Sequence, residues 1–171
     1  AIASLGNDVL HDRFLRGALS LVVLGCFAMT ERGHGSDVQS LETTITFDPE
    51  AGDFVVHSPK ESSAKTYIGN AAAHGHMAAV FGQLIVDATE HGVHCILVPI
   101  RDDDGSVHEG VTIGDNGHKG GLIGVDNGWI SFDHVRVGRD LLRDRFGSVN
   151  ADGQYESSIE NPNRRFFSML G

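Results

Sequence analysis

The residues from Gly25 to Asp37, Gly-Cys-Phe-Ala-Met-Thr-Glu-Arg-Gly-His-Gly-Ser-Asp, hold the densest set of chemically useful groups in the chain. A short apolar strand runs into a hydroxyl at Thr30 and a carboxylate at Glu31. Two glycines, Gly33 and Gly35, then flank His34, and a second hydroxyl follows at Ser36. Glycines at a strand-to-loop passage let backbone N–H groups approach an acceptor closely, and Thr30 and Ser36 can each donate a hydrogen bond to a carbonyl. The chemistry these groups allow is the holding of a carbonyl-bearing ligand; a glycine-rich hairpin corner is the commoner reading of such a stretch. A dinucleotide fingerprint is excluded, because the third glycine is missing and the segment leads toward strand rather than helix. Glu31 and Asp37 could serve as an acid and base pair, but Asp37 suits the capping of a turn equally well.

Ten histidines raise the question of a metal. His74 with His76 and His91 with His94 are the closest groupings, and on a strand His74 and His76 would face one side. No cysteine or carboxylate completes either set at ligand spacing, so no metal is expected. Asp102-Asp103-Asp104 lacks the spacing and terminal glutamate of a calcium loop and reads as a solvated turn. Cys26 and Cys95 lie far apart with no CxxC partner and no secretory leader before them, which points to a reducing compartment and to no nucleophile.

Strands must position these groups. Leu41, Thr43, Ile45 and Phe47 alternate with Glu42, Thr44 and Thr46, the period of a half-buried strand. Asp48 to Asp53 supplies turn chemistry, and Phe54 to His57 returns as the hairpin partner. Met77–Val86, Val93–Ile100 and Val111–Ile113 read as further strands, the two longer ones apolar enough to be central. Leu122–Val125 and Trp129–Val137 flank Asp126-Asn127-Gly128, a strong hairpin signal. Seven or eight such strands predict a mainly β fold, an antiparallel β-barrel or two-sheet sandwich. Short helices flank it: one capped by Asn7 or Asp8 and running to Ala18, and one opened by Asn161-Pro162. The second ends on large apolar residues, so the chain is expected to be a piece of a longer protein.

Composition narrows the class. Thirteen Lys and Arg against 23 Asp and Glu leave a net charge of −10, which argues against nucleic acid as a partner. The longest apolar run, Met77–Val86, is far short of the ~20 residues of a membrane-spanning helix, so no membrane is expected. The 22 glycines in 171 residues are close to double the usual ~7% and mark turns or close backbone approach.

Gly-Cys-Phe-Ala-Met-Thr-Glu, then Gly-His-Gly-Ser-Asp and Leu41-Glu42-Thr43-Thr44, resembles the signature of the acyl-CoA oxidase branch of the acyl-CoA dehydrogenase and oxidase superfamily. The likeness continues through Lys65 to Asn70, His94 to Arg101, Gly114 to Gly120 and Asp126 to Asp133, and closes at Asn161 to Phe167. It implies an FAD-dependent enzyme with a helical N-terminal domain, a middle β-barrel and C-terminal helices. On that pattern, 1–20 is the end of the helical region, 21–137 the barrel, and 138–171 the linker and start of the C-terminal helices.

The resemblance implies that Phe27, Met29 and Thr30 lie along the flavin, with Thr30 at its pyrimidine edge. It also implies that Tyr67, Ile68 and Gly69 border N5, and that Gly35 and Ser36 meet the pantetheine part of acyl-CoA. The dehydrogenase pattern of Trp-Ile-Thr or Trp-Ile-Ser reads Tyr67-Ile68-Gly69 here, and the missing side chain leaves room for dioxygen beside the ring. That favours an oxidase over a dehydrogenase; a non-catalytic ligand-binding barrel is the alternative of another class. The glutamate base of the family comes from the C-terminal helices, so no catalytic residue is expected in this chain and the piece alone is expected to be inactive. A homodimer is implied for the full enzyme, in the peroxisome of a eukaryote or the cytoplasm of a bacterium. Gly138-Arg139-Asp140-Leu141-Leu142 departs from the family, which often has proline at the first of these positions.

Overall fold

The computed structural model describes residues 10–142 and 145–170. The expected cap at Asn7 or Asp8 lies outside them. A one-turn π-helix, His11–Leu15, leads into a short helix α1, Arg16–Leu19. Nine strands follow: β1 (Gly25–Ala28), β2 (Thr44–Asp48), β3 (Asp53–His57), β4 (Lys65–Gly69), β5 (Met77–Val86), β6 (Thr89–Pro99), β7 (Val111–Asp115), β8 (Asn127–Phe132) and β9 (Val135–Val137). A two-strand ribbon, β10 (Ser148–Val149) and β11 (Tyr155–Glu156), precedes helix α2 (Pro162–Leu170). The mainly β expectation holds, as a curled six-stranded sheet with a three-stranded sheet, β4-β8-β7, beside it.

The alternation read from the sequence sets the β2 phase: Leu41, Thr43, Ile45 and Phe47 are all buried. The β2–β3 hairpin pairs Ile45 with Val56 and Phe47 with Phe54. Its turn is built as the residue types require, since the Asp48 carboxylate accepts the N–H groups of Glu50 and Ala51 and Gly52 takes φ +72°. Each fully buried side chain, Ile45, Phe54 or Leu84, contributes about 1.5–3 kcal/mol.

β5 is the spine of the large sheet. Along one edge it pairs antiparallel with β6 over its whole length. Along the other it pairs first with β1 at Met77–Val80, then with β2 at Gln83–Ile85, both parallel. The sheet is therefore mixed rather than wholly antiparallel. Both β1 and β2 reach β5 through long connections, which parallel pairing requires and hairpins do not. At the hand-over, a side chain at Gly82 would have its Cβ 2.7 Å from the Thr43 carbonyl, so the glycine is there for close approach.

Three sequence expectations change in the structure. β6 is not a central strand: its second edge meets only an isolated bridge from Ile96 to Leu142 among the described residues. Its apolar run is explained by cover from α2 and the 3₁₀ turn Arg139–Leu141. Leu122–Val125 is an exposed turn rather than a strand, and Asn127-Gly128 starts β8 instead of turning a hairpin. Gly128 serves packing, because a Cβ there would lie 2.7 Å from both the Ala72 nitrogen and the Gly114 carbonyl. Finally, Trp129–Val137 is two strands, split where His134 takes φ +53° and the chain passes from the small sheet to the large one.

Trp129 packs within the small sheet. Gly114 pairs with Trp129 across β7–β8, and the indole lies over the glycine where a Cβ would stand. Arg32 closes the other side, its guanidinium carbon 5.9 Å from the ring centroid. Gly114→Ala is expected to destabilise by about 2 kcal/mol, the usual scale of overpacking. Denaturation followed by far-ultraviolet circular dichroism measures this, and adding Trp129→Ala should remove most of the alanine's effect. Equal penalties in both backgrounds would mean that the ring is not the obstacle.

Candidate functional site

The stretch after β1 runs antiparallel beside the one entering β4. Thr66 N–H donates to the Thr30 carbonyl at 3.1 Å, Arg32 N–H to Ala64 at 2.9 Å and Gly33 N–H to Ser62 at 2.9 Å. At the far end the Asn70 side-chain amide donates to the Gly25 carbonyl at 3.2 Å. Residues 25–33 and 62–70 thus run side by side as a seam, tied by backbone bonds from Thr30 to Gly33 and by the Asn70 side chain at Gly25, with Phe27 on one strand and Tyr67 to Gly69 on the other.

Along that seam the candidate residues divide. Phe27 is 52% exposed and leans on Phe81, ring centroids 5.0 Å apart. Tyr67 is 67% exposed. A register shift in the β4–β8 pairing between Lys65 and Ile68 puts Tyr67 at φ +56°, turning its ring outward while Ile68 enters the core. At Gly69 an added Cβ would meet nothing within 4 Å. Met29 is buried in the core, and the Thr30 hydroxyl donates to the Thr66 carbonyl at 3.0 Å, leaving its oxygen free to accept. Gly35 and Ser36 lie exposed on the following loop, apart from this seam's ladder.

What the sequence did not disclose is the group that locks the seam. Lys65 and Glu31 are fully buried and joined by a 2.9 Å ion pair. The Lys65 ammonium also donates to the carbonyls of Met29 at 3.1 Å and Phe81 at 2.6 Å. The Glu31 carboxylate accepts from the N–H groups of Glu42 at 2.7 Å and Thr43 at 2.9 Å, and from the Thr43 hydroxyl at 2.6 Å. Burial pushes the Lys65 ammonium below its ordinary range, and Glu31 works against that. The pair sits where β5 passes from β1 to β2, fixing the end of β1 to β2, β4 and β5 together. Glu31 is therefore a structural anchor, and the acid and base pairing with Asp37 that the residue types would allow does not form: Glu31 is buried in this network and Asp37 is exposed.

A second clamp holds the loop after Gly69. The Asp126 carboxylate accepts the N–H groups of Ala72, Ala73 and His74, and the His74 ring at 2.8 Å. Burial acts to raise the Asp126 carboxyl, but the His74 ring and these N–H donors hold it below the usual carboxylate range. From the opposite end Arg101 donates to the carbonyls of Ala71, Ala72 and Gly75. Cys26, tucked beneath Gly75, has its thiol pushed up to about 12, chiefly by burial and then by Asp126, which makes it inert as a nucleophile. Gly138 has φ −58° and ψ 145°, a conformation that proline also adopts, so the backbone here does not depend on glycine's freedom.

A curled β sheet with this seam defines a class, and comparison gives it its family. Residues 26–135 match the family model for the acyl-CoA dehydrogenase middle domain, and the chain belongs to that family. Its relatives within it include acyl-CoA oxidases. An acyl-coenzyme A oxidase-like protein of Mus musculus is 53% identical over 99% of this chain and 27% of its own length. Peroxisomal acyl-coenzyme A oxidase 3 of Arabidopsis thaliana is 46% identical over 99% of this chain and 25% of its own. Among solved structures, Caenorhabditis elegans acyl-CoA oxidase-2, described as bound with FAD, ascaroside-CoA and ATP, aligns at a TM-score of 0.92 and 32% identity. That alignment covers 99% of this chain and 26% of the other. The chain spans about a quarter of the length of the curated relatives it matches.

Proposed function

We propose that this chain is the flavin- and acyl-CoA-facing portion of an acyl-CoA oxidase, which converts acyl-CoA to trans-2-enoyl-CoA and passes the electrons to dioxygen. On this reading 21–137 is the middle domain, 1–20 the end of a helical region, and 138–171 the lead into C-terminal helices that supply the glutamate base. The observation that carries it is the seam, which sets the half-exposed Phe27 ring and the open position at Gly69 on adjoining strands, a surface suited to a flat ring system. FAD bound there supplies a hydride acceptor whose reduced form dioxygen can reoxidise.

The chain's own residues have the simpler task of shaping the cradle. Phe27 and Tyr67 offer apolar ring surface, the Thr30 oxygen is left to accept a hydrogen bond at the cradle's end, and Ile68 anchors the strand from beneath. Met29 contributes through its backbone, since its carbonyl is tied to Lys65. Gly35 and Ser36, on the exposed loop, are assigned to the pantetheine arm of the thioester. A peroxisomal location in a eukaryote is supported by the name of the Arabidopsis relative, and a homodimer by family resemblance.

Gly69 gives the test. Gly69→Ser in the full-length parent places a side chain in the open space and is expected to slow reoxidation of the reduced enzyme by dioxygen about tenfold, or about 1.4 kcal/mol on the barrier. Reduction by acyl-CoA should change much less, and stopped-flow absorbance separates the two half-reactions. A parent that reacts with dioxygen no faster than a dehydrogenase, with or without the substitution, would assign the chain to the dehydrogenase branch.

A further inference from the structure

We propose that His57, Asp133 and His134 form a binding site for one imidazole-preferring divalent transition metal, with Zn²⁺ the best match. The three residues are brought together by the sheet rather than by sequence spacing. β3 and β9 pair antiparallel with Val56 opposite Val135, so the next position sets His57 opposite His134, and Ser58 N–H then donates to the Phe132 carbonyl at 2.7 Å. One potential ligand atom from each side chain lies within 4.8 Å of the other two.

His57 provides the observation that calls for a ligand. Its Nδ1 is buried and makes no hydrogen bond among the described residues, the one such side-chain atom found there. An orphaned buried nitrogen is costly unless something satisfies it. It faces the Asp133 carboxylate at 3.7 Å, too far for a hydrogen bond, while His134 Nδ1 holds the same oxygen at 2.7 Å. Two imidazole nitrogens therefore converge on one carboxylate oxygen.

The donor set defines the ion. Two neutral imidazoles with one carboxylate suit Zn²⁺, Ni²⁺ or Cu²⁺, whereas Mg²⁺ and Ca²⁺ prefer oxygen throughout. Zn²⁺ would take these three ligands at about 2.0–2.2 Å and complete its tetrahedron with water. The rings stack with centroids 3.9 Å apart and planes 24° apart, so ligation requires one ring to turn. His134 and Asp133 are free to do so, with side chains 67% and 83% exposed, while His57 stays fixed at 30%. The cleft lined by His108, Glu109, Asp133 and His134 gives the ion a path from solvent. Binding would staple the crossing from β8 to β9 onto β3.

Titration calorimetry of the 171-residue chain with ZnCl₂ at neutral pH tests this. One Zn²⁺ per chain is expected, weakened at least tenfold by His134→Ala and by Asp133→Asn, and unchanged by His118→Ala, a substitution of an exposed histidine elsewhere. Excess MgCl₂ should not compete. Because His134 and Asp133 are exposed, these variants should fold, and the imidazole NMR resonances of His57 report the site directly by shifting with zinc. The proposal is overturned by equal affinity in the His134→Ala chain, by equal loss in His118→Ala, by competition from Mg²⁺, or by a His57 spectrum that zinc leaves unmoved.

Discussion

Lys65→Met is expected to cost about 3–5 kcal/mol of stability, the penalty for leaving a buried charge without its partner. Methionine fills the channel of the lysine stem but strands the Glu31 carboxylate, which is wholly shielded from solvent, and abandons the carbonyls of Met29 and Phe81. Glu31→Gln should cost a comparable amount by isolating the ammonium. The double variant Glu31→Gln, Lys65→Met removes both charges and is expected to cost at least ~2 kcal/mol less than the two single effects added together. Urea denaturation of the four chains closes this cycle. Strict additivity would show that the two groups act independently, against the geometry of the shared 2.9 Å contact.

The second large effect follows pH. His94 is buried on β6, its Nδ1–H donating to the Gly92 carbonyl at 3.0 Å and its Nε2 accepting from the Tyr155 hydroxyl at 3.0 Å. Burial lowers it from 6.5 to about 4, opposed by the hydrogen bond to the Gly92 carbonyl and aided by the weaker effects of Arg165 and His91. The folded form thus refuses a proton that the unfolded chain accepts. Above the unfolded value both states are neutral and His94 adds no pH dependence. As pH falls from about 6.5 to about 4, only the unfolded chain gains the proton, so stability drops, by about 3 kcal/mol at about 1.4 kcal/mol per pH unit. Below about 4 the loss levels off. Comparing wild type with His94→Asn from pH 7 to 4 should show the gap between them closing by that amount; parallel curves would place the acid sensitivity elsewhere.

Much of the scaffold could be read from residue types alone. The alternation from Leu41 to Phe47, the turn at Asp48 to Asp53 and the limits of Met77–Val86 all carry their own local signals, and the structure has them as read. Asn161 caps α2 by accepting from the N–H groups of Asn163 and Arg164, as its type requires. The misreadings occur where a residue answers to a distant neighbour. Asn127-Gly128 carries a turn signal, yet its glycine is demanded by the Ala72 backbone, which no local pattern reveals. Lys65 occupies a strand position where solvent would be the default for its charge, and only the meeting of four chain segments makes an interior position tolerable.

The seam was legible in part for the same reason. Resemblance groups Phe27 to Ser36 with Tyr67 to Gly69, and the backbone bonds from Thr30 to Gly33, with the Asn70 side chain at Gly25, set the first part of that stretch beside β4. It could not say that Tyr67 is turned out, because that depends on the bulge in β4. The histidine pair at 57 and 134 was invisible for a related reason: spacing searches look along the chain, and these ligands are neighbours only across a strand register.

The double duty of β5 bears on how the chain assembles. β1 and β2 share one of its edges and, among the described residues, neither pairs with the other, so these two strands have no shared partner until residues 77–86 follow them. Nucleation must then wait for sequence-distant partners, whose loop closure is slow. The β2–β3 hairpin is the one early piece that can form by itself, and β5 is where the separate pieces first become a single cooperative body.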